Sequence, residues 1–257
     1  MEDGDRLPGG ADRGAVLHAG TVRRVAGPWT PAVHHLLTFL AERGFRGAPR
    51  PLALRLDQEP PEAVLTYVAG ETVGDRRPWP AWVHSDQALT QTARWLAAYH
   101  RAVEHYRPPA DAAWREVHAS AGPEVVIAHN DAAPYNAIWA ADQLIGFLDW
   151  DMAGPRRRDD DLAWTAFSWV PLHAEHVVRA EGFTDLGRRR PRLKEFLRSY
   201  GSQLGADDII GRLSDLLTAQ IDLMALRARS GDETYRRMVD AGRAEDLAAA
   251  RDQLGAV

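Results

Sequence analysis

The sequence predicts an α+β fold with two lobes, a small β-rich N-terminal lobe and a larger, mainly helical C-terminal lobe. Short apolar segments separated by glycine and proline turns occupy the first part of the chain, as strands do. From Ser85 onward, apolar residues recur mainly at helical spacing. The stretch between them is rich in Gly and Pro, so we expect the lobes to comprise residues 1–70 and 71–257.

The elements of the two lobes follow from local patterns. In the N-terminal lobe, a single helix lies among short strands, and Pro31 marks its first turn. The predicted elements there are strands at 15–18 and 21–25, a helix from Thr30 to Arg43, and strands at 51–57 and 63–68. The C-terminal lobe is predicted to contain helices at 85–104, 159–171, 191–203, 207–229 and 233–252.

The most informative segment lies between the helices, at residues 125–151. An apolar strand, Val125 to Ala128, is followed by His129-Asn-Asp131 and, five residues later, by Asn136. A hairpin that turns at residues 140–143 then leads to Asp149. The spacing is the base and metal pattern of phosphoryl transfer, with Asp131 accepting a proton from the attacking hydroxyl. Asn136 and Asp149 supply hard oxygen donors for Mg²⁺ on a nucleotide.

This segment resembles the aminoglycoside phosphotransferase family and, more broadly, the kinase-like small-molecule phosphotransferases. The resemblance lies in His129, Asp131, Asn136 and Asp149, with Pro134 inside the loop. It implies a bilobal protein-kinase-like fold, ATP or GTP with Mg²⁺ as cofactor, and a hydroxylated small molecule as acceptor. His129 joins Asp131 in the predicted catalytic set, although His129 is expected to hold the loop through hydrogen bonds rather than to do chemistry. A monomer or a homodimer is expected.

The phosphate contacts depart from the family pattern. The family places a lysine on the third strand, whereas the only lysine of this chain is Lys194. Arg23 or Arg24 takes that position, and because neighbours on a strand face opposite sides, only one of them can point inward. We favour Arg23. Gly10 is a candidate for a phosphate-covering loop, with an ordinary glycine turn as the alternative.

Other candidate contacts are less specific. Tyr67 and Val68 lie where the family binds adenine through backbone groups. The alternative is that they belong to an ordinary buried strand. Asp151 is either a second metal contact or a capping carboxylate, and it could also line the acceptor pocket. Trp164 and Trp169 are further candidates for that pocket, with burial in the core as the alternative.

Composition excludes several classes of protein. The absence of cysteine excludes disulfides and thiolate metal sites. The net charge of −5 disfavours a general nucleic-acid binder. We find no apolar run long enough to span a membrane and no apolar signal segment after Met1, so a cytoplasmic protein is expected.

Two functions remain open. The first is an ATP-dependent O-phosphotransferase that acts on an antibiotic or a metabolite. The second keeps the fold but no longer transfers phosphate, and instead binds or transforms a natural product in biosynthesis or immunity. A protein kinase is disfavoured, because no Ala-Pro-Glu pattern follows Asp149.

Overall fold

The computed structural model describes the backbone of residues 5–7 and then residues 14–74, 76–120 and 122–257. The chain divides into two compact units. The first contains Met1–Asp75 and Trp95–Arg158, and the second contains Arg76–Arg94 and Asp159–Val257. This division rests on packing within each unit, and the lobe limits at residue 70 remain a prediction.

The N-terminal part of the first unit is a five-stranded antiparallel sheet with the order β1-β2-β3-β5-β4. One helix, α1, follows β3, and its apolar face is buried through Val33, Leu36, Leu37 and Leu40. The elements are β1 (Asp5–Leu7), β2 (Ala15–His18), β3 (Thr21–Val25), α1 (Thr30–Glu42), β4 (Pro51–Arg55) and β5 (Glu62–Thr66). Each predicted strand and the predicted helix of this region is therefore present, with ends that differ by a few residues.

The first unit also contains two small two-stranded sheets. Strand β6 (Val125–Ala128) pairs with β9 (Gly154–Arg157), and β7 (Ala137–Ala140) pairs with β8 (Gln143–Phe147). The β7–β8 turn consists of Ala141 and Asp142, both with positive φ, as a tight two-residue hairpin requires. The predicted strand at 125–128 and the predicted hairpin are confirmed.

The remaining elements are helical. Helix α2 begins in the second unit and ends in the first, whereas the later helices belong to the second unit apart from the first residue of α3. Their bounds are α2 (Asp86–Ala102), α3 (Arg158–Trp169), α4 (Glu175–Ala180), α5 (Arg189–Tyr200), α6 (Ala206–Arg229), α7 (Glu233–Asp240) and α8 (Arg243–Gln253). No helix among the described residues is long and apolar enough to cross a membrane.

The C-terminal prediction needs one correction. The single helix expected at 233–252 is two helices, because the chain ends α7 at Asp240 and turns through Gly242 at φ +75°. Glycine adopts this left-handed conformation without the steric cost of a Cβ atom. The short helix α4 was not predicted, since six residues carry too little periodicity to detect.

Candidate active site

A loop that follows β6 carries the predicted base. Asn130 lies at φ +64°, a conformation that asparagine tolerates better than most residues. Its side-chain amide donates to the carbonyl oxygens of Met152 (2.8 Å) and Gly154 (3.3 Å). The loop is thereby tied to the segment that leads into β9, and the chain turns sharply just before Asp131.

His129 is fully buried and links the loop to the end of the β7–β8 hairpin. Its Nδ1 accepts a hydrogen bond from the backbone N–H of Asp131 (3.3 Å), so Nε2 is the nitrogen that donates to the carbonyl of Leu148 (3.0 Å). The ring packs among other aromatic rings of the first unit, namely Trp95, Phe147 and Trp150. With both nitrogens engaged, His129 is placed to position Asp131.

Asp131 accepts hydrogen bonds on both carboxylate oxygens. The Tyr135 hydroxyl donates to Oδ1 (2.6 Å), and the Asn136 side-chain amide donates to Oδ2 (2.7 Å). Burial raises the pKa of Asp131 to about 7; the two hydrogen bonds act in the opposite direction, and the negative charge of Asp149 adds to the rise. A carboxylate with a pKa near neutrality is well matched to accept a proton from a hydroxyl.

Asn136 and Asp149 offer the oxygen donors that a magnesium ion requires. The Asn136 amide nitrogen also donates to the backbone carbonyl of Asp131 (2.9 Å), so its side-chain oxygen is left to face away from Asp131. Asp149 lies at φ +52°, an unusual conformation for a non-glycine residue, and its side chain is 46% exposed. One amide oxygen and one carboxylate fit Mg²⁺ carried by a nucleotide, because this ion keeps several ligands from phosphates and water. Among the described residues, no group of three His, Cys, Asp or Glu forms a self-sufficient metal site.

Arg24, rather than Arg23, reaches these carboxylates. Arg24 forms an ion pair with Asp151, and its other terminal nitrogen lies 3.6 Å from Oδ1 of Asp149. Burial raises the pKa of Asp151, and the charge of Arg24 opposes that rise. Arg23 is the neighbour on β3 and faces the other side of the sheet. The ion pairs place Arg24, and not the favoured Arg23, beside Asp149 and Asp151. Which of the two arginines contacts phosphate stays a prediction.

The predicted adenine-binding segment follows β5 directly. Tyr67 is exposed, and its backbone N–H donates to the carbonyl of Gly20 (3.2 Å), while Val68 is partly buried. Beyond Gly70, Glu71 pairs with Trp139 of β7 through two backbone hydrogen bonds of 2.7 and 2.8 Å. The segment is thus fixed to the hairpin that Asn136 and Asp149 flank.

The remaining predicted residues have different outcomes. Gly10 lies outside the described residues, and its role stays a prediction. Trp169 is 1% exposed, so its ring packs in the core of the second unit and offers no surface to an acceptor. This corrects its assignment to the acceptor pocket, since the apolar face of α3 buries it. Trp164, on the same helix, is partly exposed and remains a candidate.

Sequence reasoning missed two contacts of this site. The contact of Tyr135 with Asp131 is not among the predicted ones, although Tyr135 lies next to Asn136 in the motif. Arg24 and Asp151 are 127 positions apart in the sequence, so no local sequence pattern predicts their pairing. Within the first unit, the structure groups Asp131, Asn136, Asp149, Asp151 and Arg24 through the hydrogen bonds, ion pairs and charge effects described above.

Comparisons of sequence identify relatives of the chain. Residues 84–196 match the model of the Phosphotransferase enzyme family. A relative by sequence is the trifolitoxin immunity protein of Rhizobium leguminosarum bv. trifolii. The two are 29% identical over 203 residues, which cover 78% of this chain and 75% of that protein.

Solved structures share the fold. The amicoumacin kinase hAmiN, in complex with AMP-PNP, Ca²⁺ and Ami, superposes with a TM-score of 0.66 at 10% identity, covering 97% of this chain and 87% of the kinase. The gentamicin complex of APH(2")-IIa superposes with a TM-score of 0.59 at 13% identity, covering 98% and 93%. A putative aminoglycoside phosphotransferase from Ralstonia eutropha gives 0.60 at 14% identity, covering 98% and 92%. The predicted α+β, kinase-like fold is confirmed.

Proposed function

We propose that this chain is a member of the kinase-like aminoglycoside phosphotransferase family and an ATP-dependent O-phosphotransferase that acts on a hydroxylated small molecule. The match of residues 84–196 to the Phosphotransferase enzyme family and the fold shared with antibiotic kinases support this. One observation supports this more than any other. Asn136 donates from a single amide nitrogen to both the carboxylate and the backbone carbonyl of Asp131. The proposed base and one proposed metal donor therefore form a single, mutually oriented unit, as phosphoryl transfer requires.

In the proposed reaction, Asp131 accepts the proton of the acceptor hydroxyl as that oxygen bonds to the γ-phosphorus of ATP. The bond from this phosphorus to the bridging oxygen breaks, and ADP leaves. Asn136 and Asp149 would hold magnesium, which when bound neutralises charge on the phosphates. His129 keeps Asp131 in place by accepting a hydrogen bond from the backbone N–H of Asp131. We infer that Arg24 contacts the nucleotide phosphates, since its charged fork lies beside Asp149.

Calorimetry with ATP and magnesium tests the nucleotide site. Asp149→Ala should weaken ATP by about tenfold or more, since it removes the carboxylate among the proposed magnesium ligands. Asp57→Ala, which removes an exposed carboxylate after β4, is the matched control and should leave the affinity unchanged. Equal affinities of wild type and Asp149→Ala would remove Asp149 from the site, and no binding by wild type at millimolar ATP would exclude the kinase function.

A turnover assay then tests the base. Asp131→Asn keeps the shape of the side chain but cannot accept the proton, so phosphate transfer should fall by about 10² while ATP still binds. The assay needs an acceptor, and a screen of hydroxylated antibiotics and metabolites with a coupled ADP readout supplies it. A near-native rate in Asp131→Asn would place the base elsewhere.

A second candidate function is favoured by the trifolitoxin immunity relative. Under this alternative, the chain confers immunity by binding or transforming a natural product without transferring phosphate. The close pairing of Arg24 with Asp151 suits either function, because it neutralises a carboxylate with or without a nucleotide. Protection of a sensitive strain by the Asp131→Asn variant would support immunity by binding alone, whereas loss of protection would support immunity by phosphorylation.

A further inference from the structure

Tyr135 lies in the loop of residues 129–136, which carries the proposed base, and its hydroxyl contacts that base. Its oxygen is 2.6 Å from Oδ1 of Asp131, a short distance typical of a hydroxyl bonded to a carboxylate. The residue nevertheless remains 48% exposed. A side chain that is half exposed can rotate away without leaving a buried cavity, so this contact is both strong and removable.

The Tyr135 hydroxyl occupies one of the positions on Asp131 that an incoming substrate hydroxyl can take. A base must lie within hydrogen-bond reach of the proton it abstracts, and the two oxygens of Asp131 already accept from Tyr135 and Asn136. The Asn136 amide is held twice, by the carboxylate and by the backbone carbonyl of Asp131. An incoming hydroxyl therefore displaces Tyr135 more readily than Asn136.

We propose that the Tyr135 hydroxyl occupies the acceptor position on Asp131 and acts as a specificity-determining residue, which excludes water and lets in only an acceptor that displaces it. The inference rests on the proposed phosphotransferase function. Water is the competitor at issue: its oxygen would bond to the γ-phosphorus, its proton would pass to Asp131, and the bond to ADP would break. A bound acceptor contributes contacts beyond its hydroxyl, whereas water contributes none, so Tyr135 discriminates between them.

Hydrolysis of ATP in the absence of any acceptor measures this exclusion. Tyr135→Phe keeps the ring but removes the hydroxyl, and it should raise acceptor-free hydrolysis on the order of tenfold, the scale of one hydrogen bond to a charged group. Tyr235→Phe makes the same chemical change in α7, which carries no proposed site residue, and should leave hydrolysis unchanged. In the double variant Tyr135→Phe/Asp131→Asn the increase should disappear, since the base that water needs is gone.

A second readout requires no nucleotide. In protein labelled with fluorotyrosine, the fluorine NMR signal that vanishes in Tyr135→Phe should shift when Asp131 is changed to Asn, because the ring then loses its charged partner. The Tyr235 signal should not move. An unshifted Tyr135 signal would overturn the contact itself.

The possible results separate the two proposals. Binding of ATP with unchanged or lower hydrolysis in Tyr135→Phe would overturn the role of Tyr135 and leave the phosphotransferase function standing. A gain of one phosphoryl group on Tyr135, seen by mass spectrometry after incubation with ATP, would show that Tyr135 is itself an acceptor and does not serve to exclude water. This result would also overturn the inference. No binding of ATP by wild type would overturn both.

Discussion

Arg24 is the residue at which the site departs most from the family pattern. It lies on β3, where the family resemblance leads us to expect lysine, and it pairs with Asp151 while approaching Asp149. A guanidinium is planar and presents several fixed donors, whereas an ammonium is a compact point charge. Arg24 can therefore contact a carboxylate and a phosphate oxygen at the same time, which a lysine does less well.

Replacing the two neighbouring arginines separates their roles. Arg24→Ala should weaken ATP by about 1.5–3 kcal/mol, the scale of a hydrogen bond to a charged group, because it removes the proposed phosphate contact. Arg23→Ala removes the same charge from the opposite face of β3 and should change the affinity by less than about 0.5 kcal/mol. Isothermal titration calorimetry with magnesium and ATP measures both.

The geometry of the fork can be tested in the same experiment. Arg24→Lys keeps the positive charge and loses the paired donors, so we expect an affinity between those of wild type and Arg24→Ala. Equal losses in Arg23→Ala and Arg24→Ala would mean that only net charge matters and would contradict the proposed contact.

Residues of the site were predictable to different degrees. His129, Asp131, Asn136 and Asp149 lie within one short segment, where a strand and a hairpin fix their order, so the motif could indicate them. The choice between Arg23 and Arg24 depends on which face of the sheet meets residues 149–151, and that is a tertiary fact. The burial of Trp169 is likewise decided by packing, because an aromatic residue serves a core and a pocket equally well.

At the scale of elements, the segment after β5 is fixed closely to strand β7. Gly70 lies where a Cβ atom would come within 2.4 Å of the Ile138 side chain and 3.0 Å of the Trp139 carbonyl. Only a residue without a side chain allows the two segments to approach this closely. The approach sets the distance between the proposed adenine-binding segment and the hairpin that the proposed metal donors flank.

Gly70→Ala should therefore destabilise the protein by about 1–3 kcal/mol, the usual cost of forcing extra volume into a packed site. Gly211→Ala is the matched control in α6, where a new Cβ atom meets nothing within 4 Å. It should stabilise the protein by about 0.5–1 kcal/mol, because alanine favours the helix. Urea unfolding of both variants gives the free energies, and a Gly70→Ala variant as stable as wild type would show that the segment is free to move.

The elements themselves were largely predictable from local patterns. Apolar periodicity and turn residues indicated the strands β2 to β8 and most of the helices, since these signals lie within a few residues. The break at Gly242 was missed because a single glycine inside a helical pattern is more often tolerated than not. Strand pairing between β6 and β9 was not anticipated, because 25 residues separate Ala128 from Gly154 and no turn joins the strands directly.

At the scale of the whole molecule, a buried carboxyl in the second unit links stability to pH. Burial raises the pKa of Glu181 to about 7 from an ordinary 4.5, and the charges of Arg77 and Arg243 only partly offset this effect. A terminal guanidinium nitrogen of Arg77 lies 3.8 Å from Oε1 of Glu181. The folded protein thus holds this proton more tightly than the unfolded chain does.

The stabilising contribution of protonated Glu181 is fully present below about pH 4.5 and is lost as pH rises to about 7. Glu181→Gln cannot ionise, so at pH 8 it should be more stable than wild type by up to about 3 kcal/mol, and the difference should shrink toward pH 5. Urea unfolding across this range measures it, with the exposed Glu175→Gln in α4 as control. A constant difference at all pH values would contradict the proposed protonation.

The arginine on β3 also changes how the site can be labelled. Lysine amines in nucleotide sites are acylated by reactive acyl-phosphate analogues of ATP, because a fraction of the amine is uncharged and nucleophilic. A guanidinium keeps its proton in proteins and is a poor nucleophile at neutral pH. Since the sole lysine, Lys194, lies in helix α5, such reagents would find no amine on β3, the proposed phosphate-binding strand. Profiling methods that recognise kinases by this reaction would therefore overlook this protein even when it binds ATP.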